Sequence, residues 1–114
     1  STTATQYLTS SDYRLKENVT SITDGIVRVK QLKPYRFNFI TDGSTTLDGF
    51  LAHEMQTVVP ESVSGTKDEK ESDGVTIKPQ GIDQAKLVPL LTAALQEAIT
   101  KIESLESRVT ALET

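Results

Sequence analysis

The sequence predicts an α+β fold in which helix dominates, with a small body that contains a short β-hairpin and a C-terminal helix that forms a parallel coiled coil. Two patterns predict this fold. Apolar side chains recur over residues 91–112 at alternating spacings of four and three, the seven-residue repeat of a coiled coil. Residues 34–40 alternate aromatic and polar side chains and lead into a turn signal at residues 42–44, which is typical of a hairpin. The 114 residues, of which 36% are hydrophobic, suffice for one domain with a modest core.

The first part of the chain changes between extended and helical patterns. Residues 1–10 are rich in Thr and uncharged, which favours a strand because β-branched side chains fit a pleated sheet. An apolar pattern at residues 22–32 predicts one or two helical turns around Gly25. After Pro34, the aromatic alternation predicts a half-buried strand, and the return strand of the hairpin is expected near residues 47–51.

The middle of the chain predicts short elements separated by polar segments. Residues 52–59 can form a short helix that Pro60 stops. Residues 64–74 are polar, charged and bounded by glycines, which predicts a mobile surface loop. A brief strand is expected at residues 75–77, and Asp83 is expected to cap the helical segment that follows.

The predicted seam of the C-terminal helix is formed by Leu91, Leu95, Ala98, Ile102, Leu105, Val109 and Leu112. In a parallel coil Lys101 would face Glu106 of the neighbouring helix and Arg108 would face Glu113; both pairs attract, each by about 0.5 kcal/mol. Pro89 is expected to kink the helix or to confine the regular seam to the residues after it. The residues at heptad position a are Leu95, Ile102 and Val109, and those at position d are Ala98, Leu105 and Leu112. β-branched residues at a with Leu at d favour a coil of two helices on the usual rule, so the pattern supports an oligomer without fixing the number of helices. The alternative is a single amphipathic helix that packs on its own body.

Composition and motifs argue against several classes of function. A net charge of −4 is unlike the basic surface of a nucleic-acid-binding protein, and no apolar run is long enough to span a membrane. The absence of Cys removes disulfides and thiolate metal sites. His53 has no second histidine to complete a zinc helix, and residues 68–73 lack the ligand spacing of an EF-hand. We therefore expect no cofactor, metal, nucleic acid, membrane or small-molecule ligand, and we expect a fragment of a longer polypeptide because the chain begins with Ser1.

One serine–lysine pair could perform catalysis, because Ser11 precedes Lys16 by five residues. A serine hydroxyl is a poor nucleophile until a base removes its proton, and a neutral lysine amine can be that base. Neutrality near pH 7 requires a pKa about three units below the ~10.4 of a free lysine, which burial or a cationic neighbour such as Arg14 would provide. On a regular helix the two side chains would point about 140° apart, so the pair requires a bend, an extended segment or an adjacent chain. The alternative is that Ser10 or Ser11 merely caps a helix that begins at Asp12.

Three blocks in order along the chain carry a family signature. The first is SDYRLKEN at residues 11–18. The second is GFLAHEMQ at residues 49–56, followed by VPESV at residues 59–63. The third covers residues 83–95 and leads into the C-terminal helix. Together they resemble the chaperone-of-endosialidase family, the S74 self-cleaving peptidases, although His53 stands where Gln is commoner.

The resemblance implies an intramolecular chaperone at the C-terminus of a phage tail fibre, tailspike or neck appendage. Such a domain trimerises, templates the folding of the upstream stalk of the same polypeptide, and then cuts itself off before the signature serine, here at the Ser10–Ser11 bond. The resemblance also implies that Ser11 is the nucleophile and Lys16 the general base of a single-turnover Ser-Lys endopeptidase. The side chains expected to support this site are Asp12, Arg14, His53 and Glu54.

The implied organisation divides the chain into the end of a fibre stalk at residues 1–10, a self-cleaving body at residues 11–86 and a coiled-coil helix at residues 87–114. We expect the protein in the cytoplasm of a phage-infected host during virion assembly, and we expect the chaperone to leave the mature fibre after cleavage. Whether the serine attacks within its own protomer or in a neighbouring one stays open. The alternative function is a non-catalytic trimerisation or receptor-binding tip that remains on the fibre.

Overall fold

A computed structural model describes residues 10–114 and confirms an α+β fold with two small antiparallel strand pairs and a long C-terminal helix. The strand predicted for residues 1–10 lies outside the described residues, except for Ser10. The helices and strands are α1 (Gly25–Val29), β1 (Tyr35–Phe37), β2 (Leu47–Gly49), α2 (Ala52–Gln56), β3 (Val63–Ser64), β4 (Gly81–Ile82) and α3 (Val88–Glu113). Three short 3₁₀ turns lie at Tyr13–Leu15, Pro60–Ser62 and Gln84–Leu87.

The core lies between α2, the turn after it and the start of α3. Its buried side chains are Met55, Val58, Val59, Leu87 and Leu90. Each such side chain contributes about 1.5–3 kcal/mol when it leaves water. Half-buried side chains from α1, the hairpin and the second strand pair close the core from outside: Val29, Leu32, Phe50, Val63 and Ile82.

The predicted hairpin is confirmed, with Tyr35 opposite Gly49 and Phe37 opposite Leu47 in an antiparallel pair. It is shorter and more exposed than expected, because β1 ends at Phe37 and the following Phe39 remains exposed. The two phenylalanine rings meet edge to face, with their centroids 5.2 Å apart. Of the three aromatic side chains in the alternation only Phe37 is half-buried, whereas Tyr35 and Phe39 are 40% and 59% exposed.

The segment between α2 and α3 differs from the prediction in two places. The helix α2 ends at Gln56, before Pro60, and Pro60 instead begins the 3₁₀ turn, where its missing N–H costs nothing. The strand expected at residues 75–77 is reduced to a single bridge between Lys70 and Ile77. The sequence did not predict the antiparallel pairing of β3 with β4. Next to this pair, the backbone N–H of Asp83 donates to the carbonyl of Ser62 and holds the two segments together.

The predicted loop at residues 64–74 carries regular hydrogen bonds. The backbone N–H of Glu71 donates to Thr76, and the backbone N–H of Lys78 donates to Glu69. The Asp73 carboxylate accepts hydrogen bonds from the hydroxyl of Thr76 and from the backbone N–H groups of residues 75 and 76. The Thr76 hydroxyl first, and then the two backbone groups, hold the pKa of Asp73 below its ordinary value. This segment therefore forms a hairpin-like arm in the structure, and its mobility stays a prediction.

The C-terminal helix α3 is continuous from Val88 to Glu113 and, at 1.5 Å per residue, about 39 Å long. The predicted cap at Asp83 is confirmed, because its side chain accepts from the backbone N–H of Ala85 and starts the turn that leads into α3. Pro89 lies in the first turn of α3, where the backbone N–H that proline lacks would have no partner within the helix. The expected kink is therefore absent, and the helix begins at Val88.

Only the first half of α3 contacts the body. Leu90 is buried in the core and Ala93 and Ala94 are buried beside Gly25 of α1, whereas residues 101–114 are all exposed. The radius of gyration is 19.9 Å, well above the about 13 Å expected of a compact chain of this length. None of the helices in the described part of the chain is both long and apolar enough to cross a membrane.

The contact between α1 and α3 depends on the absence of a side chain at Gly25. A Cβ there would lie 2.6 Å from the backbone nitrogen of Ala94 and 2.9 Å from the carbonyl carbon of Ala93, and it would collide with the Glu97 carboxylate. Two of these three neighbours are backbone atoms of a helix, which cannot move without displacing α3. The close packing of the two helices therefore requires glycine at this position.

We expect Gly25→Ala to lower the free energy of unfolding by about 1–3 kcal/mol, because the added methyl group separates α1 from α3. Gly43→Ala is the matched control, since the nearest atom to its added methyl group would be 3.9 Å away. Urea denaturation at one protomer concentration for all variants measures the difference. Equal midpoints for the two substitutions would show that the helices are not packed as closely as described.

Candidate active site

The segment that carries the serine–lysine pair is a 3₁₀ turn at Tyr13–Leu15, and Asp12 caps it. The carboxylate of Asp12 accepts from the backbone N–H of Arg14 at 2.9 Å. The turn is closed by the backbone N–H of Leu15, which donates to Asp12, and by that of Lys16, which donates to Tyr13. The alternative in which Ser10 or Ser11 is the cap is therefore wrong, because the aspartate takes that position.

The structure brings Ser11 and Lys16 together. The Nζ of Lys16 lies 2.7 Å from the Oγ of Ser11 and donates a hydrogen bond to it. The contact forms because the turn is only three residues long and the backbone is extended at Asp12 and at Lys16, so the two side chains leave from opposite ends of a sharp bend. A neutral amine at the same distance would accept the hydroxyl proton, which is the geometry that a general base needs.

Asp12 and Arg14 form a two-pronged ion pair beside this contact. The Nε of Arg14 lies 3.0 Å from Oδ1 of Asp12, and its Nη2 lies 2.8 Å from Oδ2. The hydrogen bonds from the Arg14 side chain and then from its backbone N–H hold the pKa of Asp12 below the ordinary value, and the same side-chain bond raises the pKa of Arg14. Because both side chains are exposed, the pair orders the turn more than it stabilises the fold.

The surroundings of the serine–lysine pair are open to water. All residues from Ser10 to Asp24 are exposed, including the large side chains of Tyr13, Leu15 and Val19, which are 82%, 73% and 80% exposed. Nothing in residues 10–114 of the same protomer covers the pair. Water stabilises a charged ammonium group, so a lysine that acts as a base here requires a covering surface from elsewhere.

The two other residues that the sequence assigned to the site lie apart from the pair. His53 is exposed on α2 and faces a cavity lined by residues 66–70 and 77–80. The carboxylate of Glu54 lies 3.6 Å from the Nζ of Lys33 and raises the pKa of Tyr35 through a hydrogen bond. Among the described residues, neither makes a hydrogen bond or ion pair with the residues of the turn, and their role as site support stays a prediction.

The predicted seam of α3 is free of the body. Ala98 is half-buried, and the exposed seam side chains are Leu91, Leu95, Ile102, Leu105, Val109 and Leu112. The helix packs on its own body through a different set of residues, namely Leu90, Ala93 and Ala94. The helix thus packs on its own body over its first half, as the alternative interpretation expects, but not through the seam, and the coiled coil stays a prediction.

The described residues contain no cluster of three or more His, Asp or Glu side chains that could hold a metal ion. The turn itself offers a hydroxyl, an amine and an ion pair. The structure is that of a small α+β domain with an exposed serine–lysine pair and a C-terminal helix whose second half is exposed.

Residues 11–64 match the model of the Peptidase_S74 family, which is described as chaperone of endosialidase. The match confirms, over residues 11–64, the resemblance to the chaperone-of-endosialidase family that the sequence predicted. The match begins at Ser11 and ends at Ser64, so it includes the serine–lysine turn, the hairpin and α2. No curated protein is significantly similar to the chain.

Proposed function

We propose that the chain is an intramolecular chaperone that trimerises, templates the folding of an upstream phage fibre or tailspike stalk, and then releases itself by cutting the Ser10–Ser11 bond. The match of residues 11–64 to the family model supports the chaperone role. The observation that carries the cleavage is the 2.7 Å contact between Lys16 Nζ and Ser11 Oγ on the first residue of the family match.

The proposed reaction begins when neutral Lys16 takes the hydroxyl proton of Ser11 and Oγ attacks the carbonyl carbon of Ser10. The C–N bond between Ser10 and Ser11 breaks, the leaving nitrogen takes the proton from the lysine, and an ester joins the Ser10 carbonyl to Oγ. Water then hydrolyses the ester, which leaves a carboxylate on Ser10 and restores the hydroxyl. Attack by Ser11 of a neighbouring protomer would form the same ester between chains and the same final products.

Assembly of three chains would cover the serine–lysine pair, which is open to water in the single protomer. The serine–lysine pair is exposed, and apolar side chains beside it, Tyr13, Leu15 and Val19, are exposed as well. Burial of these side chains under neighbouring chains would remove water from the pair and favour the neutral amine. Cleavage would therefore follow assembly, so that the template stays attached until three stalks are aligned.

The unpartnered seam of α3 supports the proposed homotrimer. Its exposed apolar side chains follow the seven-residue repeat and continue beyond the last contact of α3 with the body, and such a surface is stable when other copies cover it. Three chains held in register shorten the search for the long-range strand pairs of a stalk, which is the slow step of β-sheet folding. We assign the coiled-coil helix to residues 87–114 and the self-cleaving body to residues 11–86.

The proposed partners are two further copies of the chain and the upstream stalk, of which residues 1–10 would be the last part. The proposed setting is the cytoplasm of a phage-infected cell during virion assembly, with the chaperone lost from the mature fibre. Release would make the folded stalk kinetically stable, because unfolding could no longer be reversed through the template.

Expression of the chain behind its natural stalk tests the proposal. We expect mass spectrometry to find a fragment that begins at Ser11 and a stalk that ends at Ser10, both in the trimeric fraction. An assembled trimer that keeps the Ser10–Ser11 bond intact would instead support the non-catalytic trimerisation or receptor-binding tip.

A further inference from the structure

We propose that Asp12 is a positioning residue for cleavage: it holds Ser11 and Lys16 in contact by capping the turn between them, and Arg14 fixes its orientation. This inference rests on the proposed function, because it concerns the same serine–lysine pair. It adds a separate physical role for two residues that do not themselves touch the scissile bond.

The turn at Tyr13–Leu15 is held by hydrogen bonds alone. None of the residues from Ser11 to Lys16 is buried, so packing does not hold the backbone in place. The two backbone hydrogen bonds that close the turn are open to water, and a single 3₁₀ turn in water is marginally stable. The cap by Asp12 is therefore the contact that decides whether the turn persists.

Both carboxylate oxygens of Asp12 accept hydrogen bonds from Arg14. Oδ1 of Asp12 accepts from the backbone N–H and the Nε of Arg14, and Oδ2 accepts from its Nη2. A planar guanidinium that grips both carboxylate oxygens fixes the rotation of the carboxylate as well as its position. Backbone and side chain of one residue thus clamp the cap from two directions.

Because Asp12 is the cap, the hydroxyl of Ser11 is free to contact Lys16. Ser, Asp and Asn are all good helix caps, and the chain offers three in a row at residues 10–12. If Ser11 were the cap, its oxygen would be engaged with a backbone N–H and turned away from Lys16. Because Asp12 caps instead, Ser11 lies just outside the turn and its Oγ is 2.7 Å from the lysine nitrogen.

The chemistry of the cap predicts how substitutions at Asp12 behave. Asn keeps an oxygen at the same distance from the backbone and caps as well as Asp, although it loses the charge. Glu keeps the charge but places its oxygens one methylene further away. Asp12→Asn and Asp12→Glu therefore distinguish the contribution of the cap from the contribution of the negative charge.

The experiment measures the first-order rate of cleavage in isolated trimers of the stalk-fused chain. We expect Asp12→Asn to stay within about threefold of the wild type, because the cap is kept. We expect Asp12→Ala and Asp12→Glu to be slower by about 100-fold, the loss that follows a misplacement of about 1 Å. Arg14→Lys loses the same second contact as Asp12→Asn, since an ammonium group cannot hold both carboxylate oxygens, and we expect it to cut at a rate similar to that of Asp12→Asn.

Two outcomes overturn the inference while leaving the proposed function intact. One is an Asp12→Ala trimer that cuts at the wild-type rate. The other is a chain in which Asp12→Glu cuts and Asp12→Asn does not, since charge rather than capping would then be required. The proposed function fails separately if wild type and Ser11→Ala behave alike.

A second measurement decides the point without cleavage. Amide hydrogen exchange of the 114-residue chain reports on the N–H groups of Leu15 and Lys16, which close the turn. We expect their protection to fall about tenfold in Asp12→Ala and Asp12→Glu and to be retained in Asp12→Asn. Equal protection in all three variants would show that the aspartate does not hold the turn.

Discussion

Ser11→Ala and Lys16→Ala should each leave the stalk-fused chain uncut while trimers still form. The first removes the nucleophile and the second removes the base that lies 2.7 Å from it. We expect a loss of cleavage of at least about 1,000-fold in either variant, because the two groups act as a unit and neither is useful alone. The readout is the fraction of chains cut at Ser10–Ser11, measured by mass spectrometry on the assembled fraction.

Two control variants separate chemistry from structure. Lys16→Arg keeps a long cationic side chain that can donate to Ser11, but a guanidinium stays charged and cannot accept its proton, so we expect no cleavage. Ser10→Ala keeps the carbonyl that is attacked and should cut at close to the wild-type rate. Cleavage of Lys16→Arg, or of Ser11→Ala at the same bond, would refute the assignment of nucleophile and base.

Mixed trimers test whether one protomer provides both members of the pair. The contact between Ser11 and Lys16 lies within a single chain. Co-expression of Ser11→Ala chains with Lys16→Ala chains should therefore restore no cleavage, because no chain in the mixture carries a complete pair. Recovery of cleavage in the mixed trimers would show that the base comes from a neighbouring protomer.

Leu105→Asp should abolish trimers at micromolar protomer concentrations. Leu105 lies at a d position of the seam and is 54% exposed in the protomer, so its partner surface is expected on other copies. Three carboxylates would be brought to the axis of the coil, and removing each from water costs several kcal/mol. The body should stay folded, because Leu105 lies beyond the last contact of α3 with it.

The matched control for this substitution is Ser107→Asp, which adds the same charge two residues away, at a position that faces away from the seam. We expect sedimentation to find a trimer for Ser107→Asp and a monomer for Leu105→Asp. We further expect the Leu105→Asp chain to remain uncut behind its stalk, because the covering surface for the serine–lysine pair would not form. Identical sedimentation of the two variants would exclude the seam as the site of association.

Much of the fold follows from short-range patterns. The hairpin, the short helix before Pro60, the cap at Asp83 and the long C-terminal helix were all predicted, because side-chain period and turn chemistry act over a few residues. The pairing of β3 with β4 was not predicted. These strands are two residues each and lie seventeen positions apart, so neither carries a period long enough to be read.

The family signature and the seven-residue repeat on α3 are properties of the sequence by itself, since both are patterns of residue type along the chain. The structure shows which of three adjacent caps begins the turn, and hence that Ser11 meets Lys16; this is a local choice of hydrogen bonds in a segment that is exposed throughout. The tertiary structure decided which face of α3 packs on α1, through a glycine too close to that helix to bear a side chain. Residue type cannot settle either question, because three equally good caps compete for the same N–H group and a close backbone approach becomes visible only after distant segments have met.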